Sequence, residues 1–210
     1  MDEGKIVWSR LKNGGFETIL KKIEKYMEDP DVAEIARRYF VMNAFDGALM
    51  MMGIVMGTYI AGEMESRVII SAGLGASLAM GISGAFGAYM VERAERIREL
   101  KELKERVTLS SKRTKVYRAM ALRESLFLAL VDALSPALAA LLSVTPFFLS
   151  LNRLISLENA VIISTALTMA TLFLLGAFLG KTARESVLIH GLIVVLAGIV
   201  TFLFCLLLPF

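Results

Sequence analysis

Long runs of apolar residues, separated by short polar segments, make up most of the chain. A helix needs about 20 apolar residues to cross a hydrocarbon core of about 30 Å, and its backbone groups must bond within the segment. The runs therefore predict an all-α membrane protein with five transmembrane helices. Their approximate bounds are Tyr39–Ala61, Val68–Val91, Ser125–Leu151, Asn159–Gly180 and Ser186–Leu208.

Two stretches outside these runs have a helical pattern of another kind. From Phe16 to Met27, apolar residues recur at helical spacing opposite a lysine-rich face, which predicts an amphipathic helix on the membrane surface or on the body of the protein. Residues 92–106 carry opposite charges three and four positions apart, so the second span is expected to continue as a charged extension. A polar turn at Thr108–Thr114 and a short helix would then lead into the third span.

The predicted segments divide the chain into four parts. The N-terminal amphipathic segment occupies residues 1–38, and the first two transmembrane helices occupy residues 39–91. A charged helical insert follows at residues 92–123, and the last three transmembrane helices occupy residues 124–210.

Positive charge is concentrated on one side of the predicted spans. Lys and Arg cluster in residues 1–38, 92–123 and 181–184, whereas the other side carries only Arg67 and Arg153. The positive-inside rule then places the N-terminus in the cytosol and the C-terminus outside. The expected location is a cell membrane, with the plasma membrane of a prokaryote as the favoured case.

Composition excludes several classes of protein. Hydrophobic residues make up 56% of the chain and the charges are segregated, which does not fit a soluble enzyme or a disordered chain. Cys205 is the only cysteine, so a disulfide-built module is excluded. The basic residues flank apolar runs, so no nucleic acid is expected as a partner. The sequence has no phosphate-binding loop, His-Glu-x-x-His motif or Cys/His zinc spacing, so neither an enzyme nor a permanently bound cofactor is expected.

Three ionisable residues fall within the predicted spans, namely Asp46, Asp132 and His190. Charges inside a bilayer are costly, so each is a functional candidate, and all three are candidates for proton coupling. Asp132 precedes Pro136, and its alternative role is to bind backbone freed by the proline or a neighbouring helix. For His190 the alternative is a structural hydrogen bond.

One face of the first predicted helix combines oxygen and sulfur ligands. Asn43, Asp46 and Met50 offer an amide oxygen, a carboxylate and a thioether, a mixture that suits a divalent transition metal such as Fe²⁺ or Mn²⁺. Protons compete with metal ions for such a carboxylate. The alternative is that methionines in a span are flexible apolar filler.

Small residues are expected to bring helices close together. Gly53 and Gly57 form a Gly-x-x-x-Gly pair in the first span, and a stripe of small residues runs along the second span beside Met80, a further candidate ligand. The stripe consists of Gly73, Ser77, Gly81 and Gly84. This arrangement predicts a homodimer with the first and second helices at its centre.

The order and spacing of several short motifs resemble the vacuolar iron transporter family over roughly residues 39–208. The motifs are Asp46-Gly47, Ile82-Ser83-x-Ala85-x-Gly87-x-Tyr89 with Glu95, Leu141-x-x-x-Thr145-Pro146-Phe147, Phe173-Leu174-Leu175-Gly176-Ala177 with Gly180-Lys181, and Gly191-Leu192 with Gly198. The resemblance implies a five-span homodimer that exports Fe²⁺, and often Mn²⁺, from the cytosol in exchange for protons. The ion path would run between the first and second helices of both subunits.

The resemblance also implies particular site residues. Asp46 matches the intramembrane Asp of the family, and Glu95 matches a glutamate at the start of its cytosolic helical region. Glu99 and Glu102 lie on the same extension and are further candidate metal ligands. The alternative for these glutamates is a solvated helix, because each has a neighbour of opposite charge.

Departures from the family pattern leave a second hypothesis open. Ala76 stands where family members commonly carry a Glu, Gly84 stands in place of a second-span Met, and the insert at residues 92–123 is shorter than usual. A membrane scaffold or regulatory protein that moves nothing, or a transporter of another cation, is therefore the alternative to metal export.

Overall fold

The computed structural model describes residues 23–24, 26–62, 64–106 and 111–207. These residues contain no β-strand, and five long helices account for nearly all of them. The helices are α1 (Pro30–Ile60), α2 (Ser66–Arg106), α3 (Ser111–Leu151), α4 (Leu157–Ala183) and α5 (Val187–Leu206). Each is long and apolar enough to cross a membrane, which confirms the predicted all-α, five-span architecture.

The helices extend beyond the predicted spans at the side that carries most of the basic residues. The charged extension of the second span is confirmed, since α2 continues without a break to Arg106. The third helix already begins at Ser111, so the second part of the predicted turn at Thr108–Thr114 is helical instead. The first part of that turn, and all but the last few residues of the amphipathic helix predicted at Phe16–Met27, lie outside the described residues.

Local sequence signals account for the helix ends. The Asp29 carboxylate accepts a hydrogen bond from the backbone N–H of Asp31 at 3.0 Å and caps α1, with Pro30 in the first turn where its missing N–H is harmless. Ser156 and Ser186 cap α4 and α5 in the same way. These caps satisfy N–H groups that have no partner within the helix.

The third helix lies at the centre of the bundle. It contacts α1, α2 and α4, while α5 packs mainly against α4. At Gly47 the backbones of α1 and α3 meet, because a Cβ there would lie 2.7 Å from Cα of Pro136. A buried hydroxyl pair, Ser143 and Thr168, joins α3 to α4 with an oxygen–oxygen distance of 2.8 Å.

The small residues of α2 face two different helices. A Cβ at Gly73 would lie 2.6 Å from Sδ of Met51 in α1, whereas Gly81 and Gly84 lie against Ala133 and Asp132 in α3. Within one chain, the stripe therefore packs mainly on α3 rather than on α1 alone. Only a glycine lets the backbone of α2 approach its neighbours so closely.

Candidate functional site

A polar junction joins α1, α2 and α3 inside the bundle. The amide nitrogen Nδ2 of Asn43 donates to Oδ1 of Asp132 at 2.6 Å and to the backbone oxygen of Tyr39 at 2.9 Å. Asp132 is only 7% exposed, and its carboxylate lies directly against Gly84, where a Cβ would be 3.2 Å from the carboxyl carbon. We call Tyr39, Asn43, Gly84, Glu92 and Asp132 the three-helix junction.

The second pair of the three-helix junction joins α1 to α2. The hydroxyl of Tyr39 donates to Oε1 of Glu92 at 2.7 Å, and Glu92 is only 8% exposed. Tyr39 and Asn43 are four residues apart and lie on one face of α1. One turn of α1 therefore binds a buried carboxylate from α2 and another from α3.

Proline adds a further oxygen to the three-helix junction. Pro136 has no N–H, so the backbone oxygen of Asp132, four residues earlier, lacks its usual helical donor. Asp132 thus presents both a carboxylate and a backbone oxygen. A polar centre of this kind inside apolar helices requires donors or a cation to compensate its charge.

Asp46 lies next to the three-helix junction, but no residue of the junction forms a hydrogen bond or an ion pair with its carboxylate. It is three residues after Asn43 on α1, and its carboxylate interacts electrostatically with that of Asp132. Its side chain is exposed at the surface of the single chain and makes no hydrogen bond or ion pair with the described residues. A carboxylate on the surface of an apolar span is costly unless a proton, a cation or a second subunit compensates its charge.

The two candidate thioethers lie on α1 and α2. Met50 is half-buried one turn beyond Asp46 and packs against the core cluster around Met51 and Val144. Met80 is half-buried on α2. Among the residues described, no three His, Cys, Asp or Glu side chains come together as a metal-binding group. A metal site at Asp46 would therefore use amide, thioether or backbone ligands, or ligands from a second subunit.

Glu95 and Glu99 line an acidic cavity of about 270 Å³ at the start of α1 and the extension of α2. Asp31, Glu34 and Glu92 also line it, and Arg96 contributes a positive charge. All five carboxylates come from positions outside the spans predicted from the sequence, and Glu92 links the cavity to the three-helix junction.

The candidate glutamates on the extension of α2 form ion pairs with arginines of the same helix. Glu95 pairs with Arg98, whose Nε also lies 3.8 Å from Oε1 of Glu102. Glu99 lies 3.7 Å from Arg96, which also contacts Glu124 of α3 at 3.5 Å. Glu102 is not among the residues that line the acidic cavity, although it shares Arg98 with Glu95.

Comparison with known proteins places these residues in a family. The VIT family model matches residues 37–125, a range that contains α2 and all of the three-helix junction except Asp132. The chain is also 34% identical, over 175 residues, to an uncharacterized protein of Methanocaldococcus jannaschii, an alignment that covers 82% of this chain and 87% of that protein. This chain belongs to the vacuolar iron transporter (VIT) family. Membership of the VIT family suggests a divalent metal transporter rather than an enzyme. No solved structure gives a significant match.

The VIT family match does not extend to the remaining proton-coupling candidate, His190, which lies at the start of α5. Its Nε2 is 3.2 Å from a carboxylate oxygen of Glu185, and its Nδ1 is 3.1 Å from the backbone oxygen of Ser186. Its backbone also lies against Gly176 of α4. The contacts of His190 are thus those of the turn between α4 and α5.

Tyr39, Gly84 and Glu92 were not among the site residues predicted from the sequence of this VIT family member. A signal for Tyr39 was present, because Tyr39, Asn43 and Asp46 recur at intervals of four and three residues and form a polar row on an apolar helix. Gly84 has no comparable signal, since its role is to leave room for the carboxylate of another helix.

Proposed function

We propose that this protein is a divalent transition-metal transporter that exports Fe²⁺, or Mn²⁺, from the cytosol in exchange for protons. The observation that carries the proposal is the uncovered carboxylate of Asp46, which lies on an apolar span without a partner among the described residues. A cation that passes along this surface would supply the missing charge. The metal ion is the cargo, and no permanently bound cofactor is required.

The proposal includes a homodimer in which the Asp46 face of α1 meets its copy. Gly53 and Gly57, seven and eleven residues further along α1, have no atom within 4 Å of a Cβ built on them. Bare glycines on a span are typical of a surface where helices approach closely. Two copies of Asp46 and Met50, completed by Asn43 or Met80, would form a shell of oxygen and sulfur that suits Fe²⁺ better than Mg²⁺.

The acidic cavity supports the direction of transport that we propose. It lies at the end of the bundle that the positive-inside rule places in the cytosol. Carboxylates grouped in a cleft raise the local concentration of cations. Glu95 and Glu99 would attract the ion there, and the buried pair Glu92 and Tyr39 leads from this cavity to the three-helix junction.

Proton exchange follows from the chemistry of a carboxylate ligand. A protonated Asp46 is neutral and has lost ligand capacity, so protons and metal ions exclude each other at this side chain. Asp132 is the second proton-coupling candidate because it is buried beside Asp46. His190 is the third, and it would act at the turn between α4 and α5. We further propose the plasma membrane of a prokaryote as the location.

The test is uptake of radiolabelled Fe²⁺ and Mn²⁺ into proteoliposomes under a pH gradient, with Asp46→Asn as the variant. We expect the unmodified protein to take up metal and Asp46→Asn to lower the rate at least about tenfold, as for lost metal-site residues. Glu65→Gln is the matched control, because Glu65 is an exposed acid outside the helices. Absence of uptake by the unmodified protein would favour the non-transporting scaffold, and equal rates in both proteins would exclude Asp46 as the ligand.

A further inference from the structure

An apolar groove runs between α2 and α3 on the outer surface of the bundle. It has a volume of about 460 Å³ and is lined by Phe86 and Tyr89 from α2 and by Leu122, Arg123, Leu126 and Leu130 from α3. Phe86 is 68% exposed and Leu126 is 55% exposed, so the groove is open along its length. Its size is that of a site for a small apolar ligand.

The groove begins at the edge of the predicted membrane core. Arg123 is the one charged residue among the described residues that line it. Arg123 is exposed and makes no ion pair with the described residues. Tyr89, on the opposite wall, is of the type that gathers at the boundary between hydrocarbon and headgroups. An apolar groove that ends at a tyrosine and at an arginine with no ion-pair partner among the described residues matches a molecule with an apolar tail and an anionic head.

Further basic residues continue from the groove toward the charged end of the bundle. Arg93 lies one turn beyond Tyr89 on α2, and Lys115 and Arg118 lie seven and four residues before Leu122 on α3. All three are exposed. We call Arg93, Lys115, Arg118 and Arg123 the basic rim.

Four acids that are close to the groove in the sequence contact other parts of the molecule. Glu92, Glu95 and Glu99 line the acidic cavity beside α1, and Glu124 contacts Arg96. Three acids at the start of the extension therefore face α1, whereas Arg93 follows Tyr89 on the groove side. This leaves the basic rim with net positive charge where a membrane surface would meet it.

We propose that this groove is a binding site for an anionic phospholipid of the leaflet on the same side as the charged extension. One acyl chain lies between Phe86 and Leu126, and the phosphate is bound by Arg123 with the rest of the basic rim. Basic pockets between transmembrane helices bind anionic headgroups in this manner. The proposal depends only on the membrane location of the helices and not on the transported ion.

A second copy of the chain fits the groove less well than a lipid. A twofold axis through the groove would bring the basic rim of one subunit against the same rim of the other. No acid is among the described residues that line the groove, and Glu124, next to Arg123 on α3, already pairs with Arg96. Like charges would then oppose each other across the interface, which is unfavourable.

The test is native mass spectrometry of the full chain in detergent, with phosphatidylglycerol and phosphatidylcholine of identical acyl chains offered together. We expect phosphatidylglycerol to be retained in preference, and Arg123→Gln to lower this preference about fivefold, the effect of one basic residue near an anionic surface. Arg67→Gln is the matched control, since Arg67 is exposed at the opposite end of α2. Ala85→Phe, which narrows the groove, should reduce the retention of both lipids.

Several results would overturn this proposal. Equal retention of the two lipids by the unmodified protein would exclude a specific anionic site, and an equal loss in Arg67→Gln would show a general effect of charge. Displacement of the lipid by inorganic phosphate at the same concentration would show that the tail contributes nothing. A change in the dimer fraction of Arg123→Gln and Ala85→Phe with unchanged lipid binding would assign the groove to a second copy. If Ala85→Phe does not fold, the comparison of Arg123→Gln with Arg67→Gln decides alone.

Discussion

The amide nitrogen of Asn43 donates to the carboxylate of Asp132 at 2.6 Å, across the interface between α1 and α3. The second hydrogen of the same amide goes to the backbone oxygen of Tyr39. Both partner atoms are oxygens that accept hydrogen bonds, so the NH₂ group of Asn43 must face them. The amide oxygen of Asn43 is therefore directed elsewhere, and under the proposed function it would bind the metal beside Asp46, three residues further along α1.

This relationship makes Asp132 a positioning residue for Asn43. Asp132→Asn keeps an oxygen that accepts the bond, whereas Asp132→Ala removes it and leaves the amide free to rotate. We expect Asp132→Ala to raise the apparent KM for the metal about tenfold or more, the usual effect of losing a partner that orients a ligand. Asp132→Asn should change the KM much less. If Asp132→Asn raises the KM as much as Asp132→Ala does, the charge of Asp132 itself is required.

Gly84 offers a way to displace the Asp132 carboxylate without altering a polar group. A Cβ at position 84 would overlap the carboxylate, whereas one at Gly87 would have nothing within 4 Å. Gly84→Ala should therefore raise the KM for the metal as Asp132→Ala does, and Gly87→Ala should leave it unchanged. Both variants gain helix propensity, so a difference between them isolates the contact. Equal KM values would mean that the carboxylate position is immaterial to transport.

The thioether of Met50 is expected to decide which metals are transported. Met50→Leu nearly conserves side-chain volume, so the free energy of unfolding should change by less than about 1.5 kcal/mol. Removal of the sulfur should lower the uptake of Fe²⁺ and Co²⁺ in proteoliposomes selectively, because sulfur contributes little to Mg²⁺. Uptake at the rate of the unmodified protein would show that Met50 is not a metal ligand and that it only packs against the core cluster.

Dimer formation is expected to depend on the two bare glycines of α1. Gly53→Leu and Gly57→Leu should leave the single chain folded, because neither position has a neighbour within 4 Å, and Leu is the better helix former. Both variants should nevertheless run as monomers in mild detergent when measured by size-exclusion chromatography with light scattering. Ala166→Leu, on an exposed position of α4, is the matched control. A stable monomer for the unmodified protein would contradict the dimer.

Metal transport is expected to fall as the cytosolic pH falls from about 8 to about 5, a range over which metal ligands gain protons. The sign follows from the carboxylate, since a proton on Asp46 removes its charge and the metal then binds less tightly. Glu65→Gln should keep the same pH profile, and the residual uptake of Asp46→Asn should lose it. A flat profile for the unmodified protein would assign the coupling to another group, with Asp132 and His190 as the remaining candidates.

The number and type of the spanning helices could be predicted from the sequence, because this property is local. In lipid each segment must satisfy its own backbone hydrogen bonds, so a run of apolar residues such as 159–180 is sufficient to indicate a helix. The continuation of α2 to Arg106 was predictable for the same reason, since alternating charges three and four residues apart stabilise a helix in water. The candidate Asp46 was also visible, as a rare charge in an apolar run.

Which helices contact each other could be seen only in the tertiary structure. Asn43 and Asp132 are 89 positions apart, and Tyr39 and Glu92 are 53 positions apart. Apolar side chains face both the lipid and the neighbouring helix, so hydrophobicity does not mark which face of a span is buried in the protein. That ambiguity explains why the small-residue stripe of α2 suggested packing on α1, whereas Gly81 and Gly84 contact α3. The three-helix junction exists because a missing side chain at position 84 leaves space for a carboxylate, and such a space arises only when two helices meet.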